Sequence, residues 1–147
     1  MAGKDIKDVA ETLRDIDFVM LNTHTEGGEI AGRPMSNSRD VEYNGDSWFF
    51  VDEESRAFQD IARDPKVSLT VQGNKGLLGK PPAFFSIEGA AEIVKDRAAL
   101  EAHWTKALER WWPQGPSSPG VALIKVRATR IHYWDGEDQG DAPITLR

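Results

Sequence analysis

Along the first part of the chain the apolar positions change period several times, and each change marks an element. Ile6, Val9, Leu13 and Ile16 recur at spacings of three and four, which predicts a short amphipathic helix from about Asp5 to Asp15. Phe18-Val19-Met20-Leu21-Asn22-Thr23 is apolar and partly β-branched, and Glu26-Gly27-Gly28-Glu29 supplies a hairpin turn into a second strand over Ile30–Arg33. Asn44-Gly45, the strongest short hairpin signal in the sequence, predicts a second hairpin between Val41-Glu42-Tyr43 and Ser47–Val51. Ser55 is placed to cap a helix containing Phe58, Ile61 and Ala62. Pro65 must end that helix, because the residue before proline disfavours helical geometry.

Further on, Val67, Leu69 and Val71 alternate with Ser68, Thr70 and Gln72, the pattern of a half-buried strand. Lys75 to Pro82 reads as a loop, and Ala83 to Val94 as a long strand with a bend or bulge at Gly89. Asp96 is expected to cap a helix with Leu100, Trp104, Leu108 and Trp111 on one face, stopped by the segment Pro113–Pro119. Val121 to Trp134 is strand-like, and Asp135 to Asp141 reads as an acidic tail that frays. Strands outnumber helices and hairpins recur, so the expected fold is mainly β: an antiparallel barrel with peripheral α-helices. With no repeat or linker in its 147 residues, the chain is expected to form one domain around one core.

The absence of cysteine excludes disulfides, thiolate metal sites and cysteine nucleophiles, so redox chemistry would need a cofactor. A formal charge of −6 opposes binding to a polyanion, which argues against nucleic acid but leaves room for a small phosphate held by a few local cations. No run approaches the ~20 apolar residues of a membrane span, and the first residues carry no apolar signal core. The expectation is a soluble, cytoplasmic protein with no membrane partner.

Candidate chemistry is spread over several ordinary-looking features. Pro34 biases Arg33 toward extended geometry, so that its guanidinium projects from a strand edge; an isolated Arg-Pro is also how a solvated edge strand reads. Ser55 and Arg56 stand at a helix amino end, where unpaired N–H groups favour an anion, and they serve equally as a cap and a surface charge. Trp48, Phe49 and Phe50 offer either a platform for a flat ligand or plain core, while Phe50 and Val51 can offer backbone groups to a ligand rim. Gln72 is an amide at a strand end, and Trp112 and Trp134 stand at element ends where a ligand or a second subunit could meet them. Trp104 and Trp111 are explained by packing of a helix on the barrel. His24, His103 and His132 share no short ligand spacing, which argues against a metal site. The stretch Gly73–Lys80 lacks the first glycine and the following Ser/Thr of a phosphate loop, and no G-x-S-x-G is present.

Taken in order, Gly-Arg-Pro-Met at 32–35, Trp-Phe-Phe-Val-Asp at 48–52, Ser55, Asp-Pro-Lys-Val at 64–67, Glu-Gly-Ala-Ala at 88–91, Trp-Trp-Pro-Gln-Gly at 111–115 and Tyr-Trp-Asp at 133–135 resemble the FMN-binding split barrels of the pyridoxamine 5′-phosphate oxidase superfamily, in particular the general stress protein 26 branch. That resemblance implies a six-stranded antiparallel split barrel of Greek-key type, forming a homodimer with FMN, or FAD in its place, at the subunit interface. It implies Arg33, Ser55 and Arg56 at the phosphate, and Pro34 and Met35 near the ring. Phe50 and Val51 would meet the ribityl chain or ring rim, with Gln72, Trp112 and Trp134 approaching from the barrel edge or the second subunit. The family often carries Thr where this chain has Val51 and Lys where it has Ala57, and the latter change removes one charge-assisted phosphate contact. The carboxyl-terminal segment lacks the Arg-rich substrate motif of true pyridoxamine phosphate oxidases, which argues against vitamin B6 oxidation. The expected activity is a stress-associated, flavin-dependent oxidoreductase using a small-molecule electron donor or acceptor. A flavin-binding or sensing dimer without turnover, and an apo split-barrel interaction module, are the alternatives.

Overall fold

Alternation decides which side of each strand is buried, and it does so over most of the chain. The computed structural model describes residues 3–39 and 42–144. Helix α1 (Ile6–Arg14) opens on a reciprocal cap: the Asp5 carboxylate accepts the Lys7 N–H at 2.9 Å, and Asp8 accepts the Asp5 N–H at 2.8 Å. It buries Val9, Ala10 and Leu13. Strands β1 (Phe18–His24) and β2 (Ile30–Ser36) form the first hairpin, as the pattern predicts. Strand β3 (Asp46–Asp52), helix α2 (Arg56–Arg63) and strand β4 (Lys66–Gln72) follow. After the loop come β5 (Phe84–Val94), helix α3 (Arg97–His103), β6 (Val121–Asp135) and β7 (Asp138–Ala142).

The strands make one antiparallel sheet in the order β2-β1-β4-β5-β6-β3, with β7 added to the far half of β6. Strands β4, β5 and β6 run consecutively and β3 returns beside β6, which is a Greek key. The sheet curls into a half-barrel with β2 and β3 as its two unpaired edges, matching the expected split barrel. Its core is built from the inward positions of each strand, among them Leu21, Leu69, Val71, Phe85, Ile87, Ile124 and Ile131, closed by α1 and by Ile61 of α2. A smaller cluster of Leu100, Val121 and Leu123 is buried on the other side of the sheet, where α3 lies. No helix among the described residues is long and apolar enough to cross a membrane.

Three expectations are corrected. Asn44-Gly45 does not turn a hairpin: Glu42 and Tyr43 are not in a strand, Tyr43 is buried in the core, and the Gly45 carbonyl accepts the Ala128 N–H at 2.8 Å as the chain enters β3 beside β6. Val41 lies outside the described residues. The helix begun at Asp96 stops at His103, where Trp104 takes an extended conformation (φ −70°, ψ 139°) and a separate 3-10 turn covers Lys106–Arg110. The Asp135–Asp141 tail does not fray but folds back as β7. Asp135 opposes Asp138 across Gly136-Glu137, and Gly136 supplies the positive φ that a II′ hairpin turn requires at its first central position.

The bulge at Gly89 is present, as a register shift between Glu88 and Gly89 against β6. A Cβ at this position would meet the backbone carbonyl of Arg127, which cannot move without breaking the β5–β6 ladder. Gly89→Ala is therefore expected to destabilise the fold by about 1–3 kcal/mol in urea unfolding, while Gly27→Ala, at an exposed turn with ordinary clearance, leaves stability within about 0.5 kcal/mol.

Candidate functional site

Because β2 and β3 do not pair, their edges leave a gap, and the segment after α3 roofs it. The result is a cleft of about 590 Å³ lined by Pro34 and Met35 of β2, Trp48 and Phe50 of β3, and Trp111 and Trp112 of the roof. That volume is in the range of small-molecule sites. The broken helix makes this arrangement. His103 stacks on Trp48 with ring centroids 3.9 Å apart and planes at 20°, Trp104 meets Phe50 edge-on at 5.1 Å, and Trp112 meets Trp104 at 6.2 Å. A continuous helix would hold His103 and Trp104 to one helical course, so aromatic contact with β3 overrides the helical period here.

A polar cluster stands where β1, β2 and α2 meet. Asp60 is on α2 and only 2% exposed, with Ala57 and Ile61 as its buried neighbours on the helix. Its carboxylate accepts the Thr23 hydroxyl at 2.8 Å and lies 3.6 Å from Arg33 and 3.5 Å from Arg63. Arg33 also donates to the Thr23 hydroxyl oxygen at 2.9 Å and to the Leu21 carbonyl at 3.2 Å. Burial lowers the Arg33 pKa, Asp60 opposes that shift, and the repulsion of nearby Arg56 adds to it. Arg33 remains charged. Arg56 is exposed at the first turn of α2, and the adjacent Ser55 hydroxyl accepts the Phe58 N–H at 3.2 Å, leaving its own proton free to donate. The Arg56 guanidinium and Ser55 hydroxyl at the amino end of α2, with Arg33 close enough to feel Arg56, form a place that favours an anion.

The structure thus gathers the sequence-predicted residues into three places. Pro34, Met35, Phe50 and Trp112 line the cleft. Ser55 and Arg56 lie at the amino end of α2, and Arg33 is held by Asp60 farther along that helix. Val51 is buried in the core, so only its backbone is open to a ligand. Gln72 and Trp134 are elsewhere: both oppose Phe84 across β4, β5 and β6 and so share the outer face of the sheet. That face also exposes Phe18 and Met20 of β1, and on it His132 pairs with Asp141 at 2.6 Å beside Trp134. Trp111 is not buried by packing as its spacing suggested, but is 61% exposed at the cleft.

Sequence reading missed Asp60, Thr23, Arg63 and His103. One signal was available for Asp60: a charged residue between Ala57 and Ile61 on the apolar face of a short amphipathic helix must find partners when that face is buried. His103 carries no such signal, since its place depends on the break after it.

The sequence pattern of the family described as pyridoxamine 5′-phosphate oxidase like matches residues 4–145. The chain is 24% identical over 137 residues to the protein bli-3 of Neurospora crassa, a match covering 87% of this chain and 63% of that protein's length. Among solved structures, a protein related to general stress protein 26 from Clostridium acetobutylicum aligns over 95% of this chain and 94% of its own, with 21% identity and a TM-score of 0.78. General stress protein 26 from Bacillus anthracis aligns over 92% and 97%, with 19% identity and a TM-score of 0.71. A heme binding protein from Mycobacterium smegmatis shares the fold at 15% identity and a TM-score of 0.74, over 97% of this chain and 59% of its own.

The Asp60 cluster sets a first measurable expectation for the site. Asp60→Ala leaves the Arg33 guanidinium without its carboxylate in a half-buried place, and should cost about 2–3 kcal/mol in urea unfolding, below the full cost of a buried unpaired charge because Arg63 reaches solvent. Asp60→Asn, which keeps an acceptor for Thr23, should cost about half as much.

Proposed function

Since the chain belongs to the pyridoxamine 5′-phosphate oxidase-like family, we propose that it is a general stress protein 26-type flavoprotein, a cytoplasmic homodimer that binds FMN and acts as an oxidoreductase on a small molecule. One observation carries the reading. On each unpaired edge the chain passes from the wall of an apolar cleft to an anion-favouring end within a few residues: Met35 to Arg33 on β2, and Phe50 to Ser55 and Arg56 from β3 into α2. A flat ring carrying a phosphate on a short chain has that division of chemistry. FAD is the alternative flavin, with the same ring and chain.

The residues fit the group. Arg33, Arg56 and the Ser55 hydroxyl would hold the phosphate, with Arg56 and Arg33 meeting the charge that the family's lysine meets where this chain has the buried Ala57. Pro34, Met35 and Phe50 would cover the ring, and Val51 would offer its backbone. The flavin, when bound, supplies hydride or single-electron transfer, which no side chain of the cleft provides. Asp60 pairs with Arg33, and Trp112 of the roof limits water at the ring. The outer sheet face, with exposed Phe18, Met20, Phe84 and Trp134, supports the dimer and would bring Gln72 and Trp134 of one protomer to its partner's site.

Purified protein is expected to quench FMN fluorescence to saturation. Arg56→Ala, exposed and outside the Asp60 cluster, should weaken FMN by about 1.5–3 kcal/mol with unchanged unfolding, and Arg33→Ala by at least as much. Bleaching of the bound flavin by NADH or NADPH supports the oxidoreductase, and bound flavin that no donor reduces supports a flavin-binding module without turnover. Absence of FMN and FAD binding, or tight haem binding in their place, overturns the flavin reading.

A further inference from the structure

Besides the residues assigned to the flavin, the cleft is lined by His103 and Trp111, and that lining has a definite chemistry. His103 is fixed by its stack on Trp48, yet its ring nitrogens hydrogen-bond no other described residue. Burial and the repulsion of Lys125 lower its pKa, so at neutral pH it presents one N–H donor and one bare nitrogen. The charged groups around it are already engaged. Lys125 lies over the Trp48 ring at 5.3 Å and pairs with Asp46 at 3.8 Å, while Arg39 donates to the Arg14 carbonyl at 2.7 Å and to Asp17 at 3.0 Å. Trp111 lines the same cleft and is largely exposed, with the Arg110 guanidinium 5.2 Å over its ring.

An exposed indole and a neutral imidazole with unused nitrogens select for a planar shape and for a hydrogen-bond acceptor. The geometry points to a binding site at the His103 end of the cleft for a planar aromatic molecule carrying a carbonyl-type oxygen, packed on Trp111 and receiving the His103 N–H. Naming that molecule as the substrate rests on the flavin reading above. The site itself does not, because none of its groups is among those assigned to the flavin.

Calorimetric titration of the full chain with 1,4-naphthoquinone tests this, with naphthalene as the same shape lacking the oxygens, each with and without saturating FMN. The chain has no cysteine to form a quinone adduct. Saturable naphthoquinone binding is expected in both states. His103→Phe, which keeps an aromatic ring on Trp48, should weaken naphthoquinone roughly three- to tenfold and leave naphthalene unchanged, the scale of one neutral hydrogen bond. Trp111→Ala should weaken both ligands roughly three- to tenfold, the scale of one aromatic pair. Absence of saturable naphthoquinone binding, its displacement by FMN, or insensitivity to either variant overturns the proposal. Naphthoquinone binding with these sensitivities in a protein that ignores FMN leaves the site standing and removes the flavin reading alone.

Discussion

A carboxylate shut inside a small β-structure has to be met by donors, and the buried Asp60 imposes that condition on everything around it. Its partners come from three elements: Thr23 on β1, Arg33 on β2 and Arg63 on α2 itself. Apolar burial of Ala57 and Ile61 is enough to hold α2 on the barrel, but it is tolerant of small rotations and shifts. The carboxylate is not, since a displaced α2 would leave it short of partners. Such a cluster contributes little net stability compared with an apolar replacement, and its effect is to define one seating of the helix. That seating fixes Arg33 of β2 beside α2. Phosphate recognition, on the reading given above, is thus a by-product of how the helix is anchored.

The second constraint is the open edge. An antiparallel sheet with two unpaired edges invites pairing with other chains, and proteins blunt such edges. Here β2 carries Pro34, which has no N–H to offer, and the roof segment lies over β3. Strand β6 makes the opening feasible: at 15 residues it pairs with β3 over its first half and with β7 over its second, while β5 holds its other side throughout. One long strand therefore fixes the distance between elements that never pair with each other. Gly89 lets β5 follow that strand through its bend, because no side chain there stands against the Arg127 carbonyl.

Much of this architecture is legible in the sequence, because strand alternation and helix caps are local. The period-2 runs at Phe18–Thr23 and Val67–Val71, the Ser55 cap and the stop before Pro65 all hold. The errors come where a local signal competes with a distant partner. Asn44-Gly45 has the chemistry of a hairpin turn, but β3 finds its partner in β6, so the glycine's positive φ serves an entry into the sheet instead. The acidic tail looks like solvent-exposed chain until Gly136 is read as a turn and Ala142 as a buried residue. At the site, Arg33, Met35, Phe50 and Trp112 could be placed from the family resemblance, whereas His103 and Trp111 could not. Leu100, Trp104, Leu108 and Trp111 are spaced for one helical face, and only contact of His103 and Trp104 with Trp48 and Phe50 turns the chain out of the helix.

That turn at Trp104 links fold to chemistry. Continued as a helix, residues 97–111 would present an apolar stripe to the barrel and bury Trp111 in it. Broken after His103, the same residues divide their work: Leu100 is buried, and Trp104 packs on Phe50. His103 and Trp111 are then left facing the gap between the sheet edges. The helical turns forgone here are offset by the aromatic contacts, each on the order of 1 kcal/mol. The shape of the cleft therefore depends on His103 and Trp104 as much as on the strands, and ligand preference in this fold can change with the roof while the anion end, tied to Asp60, stays fixed.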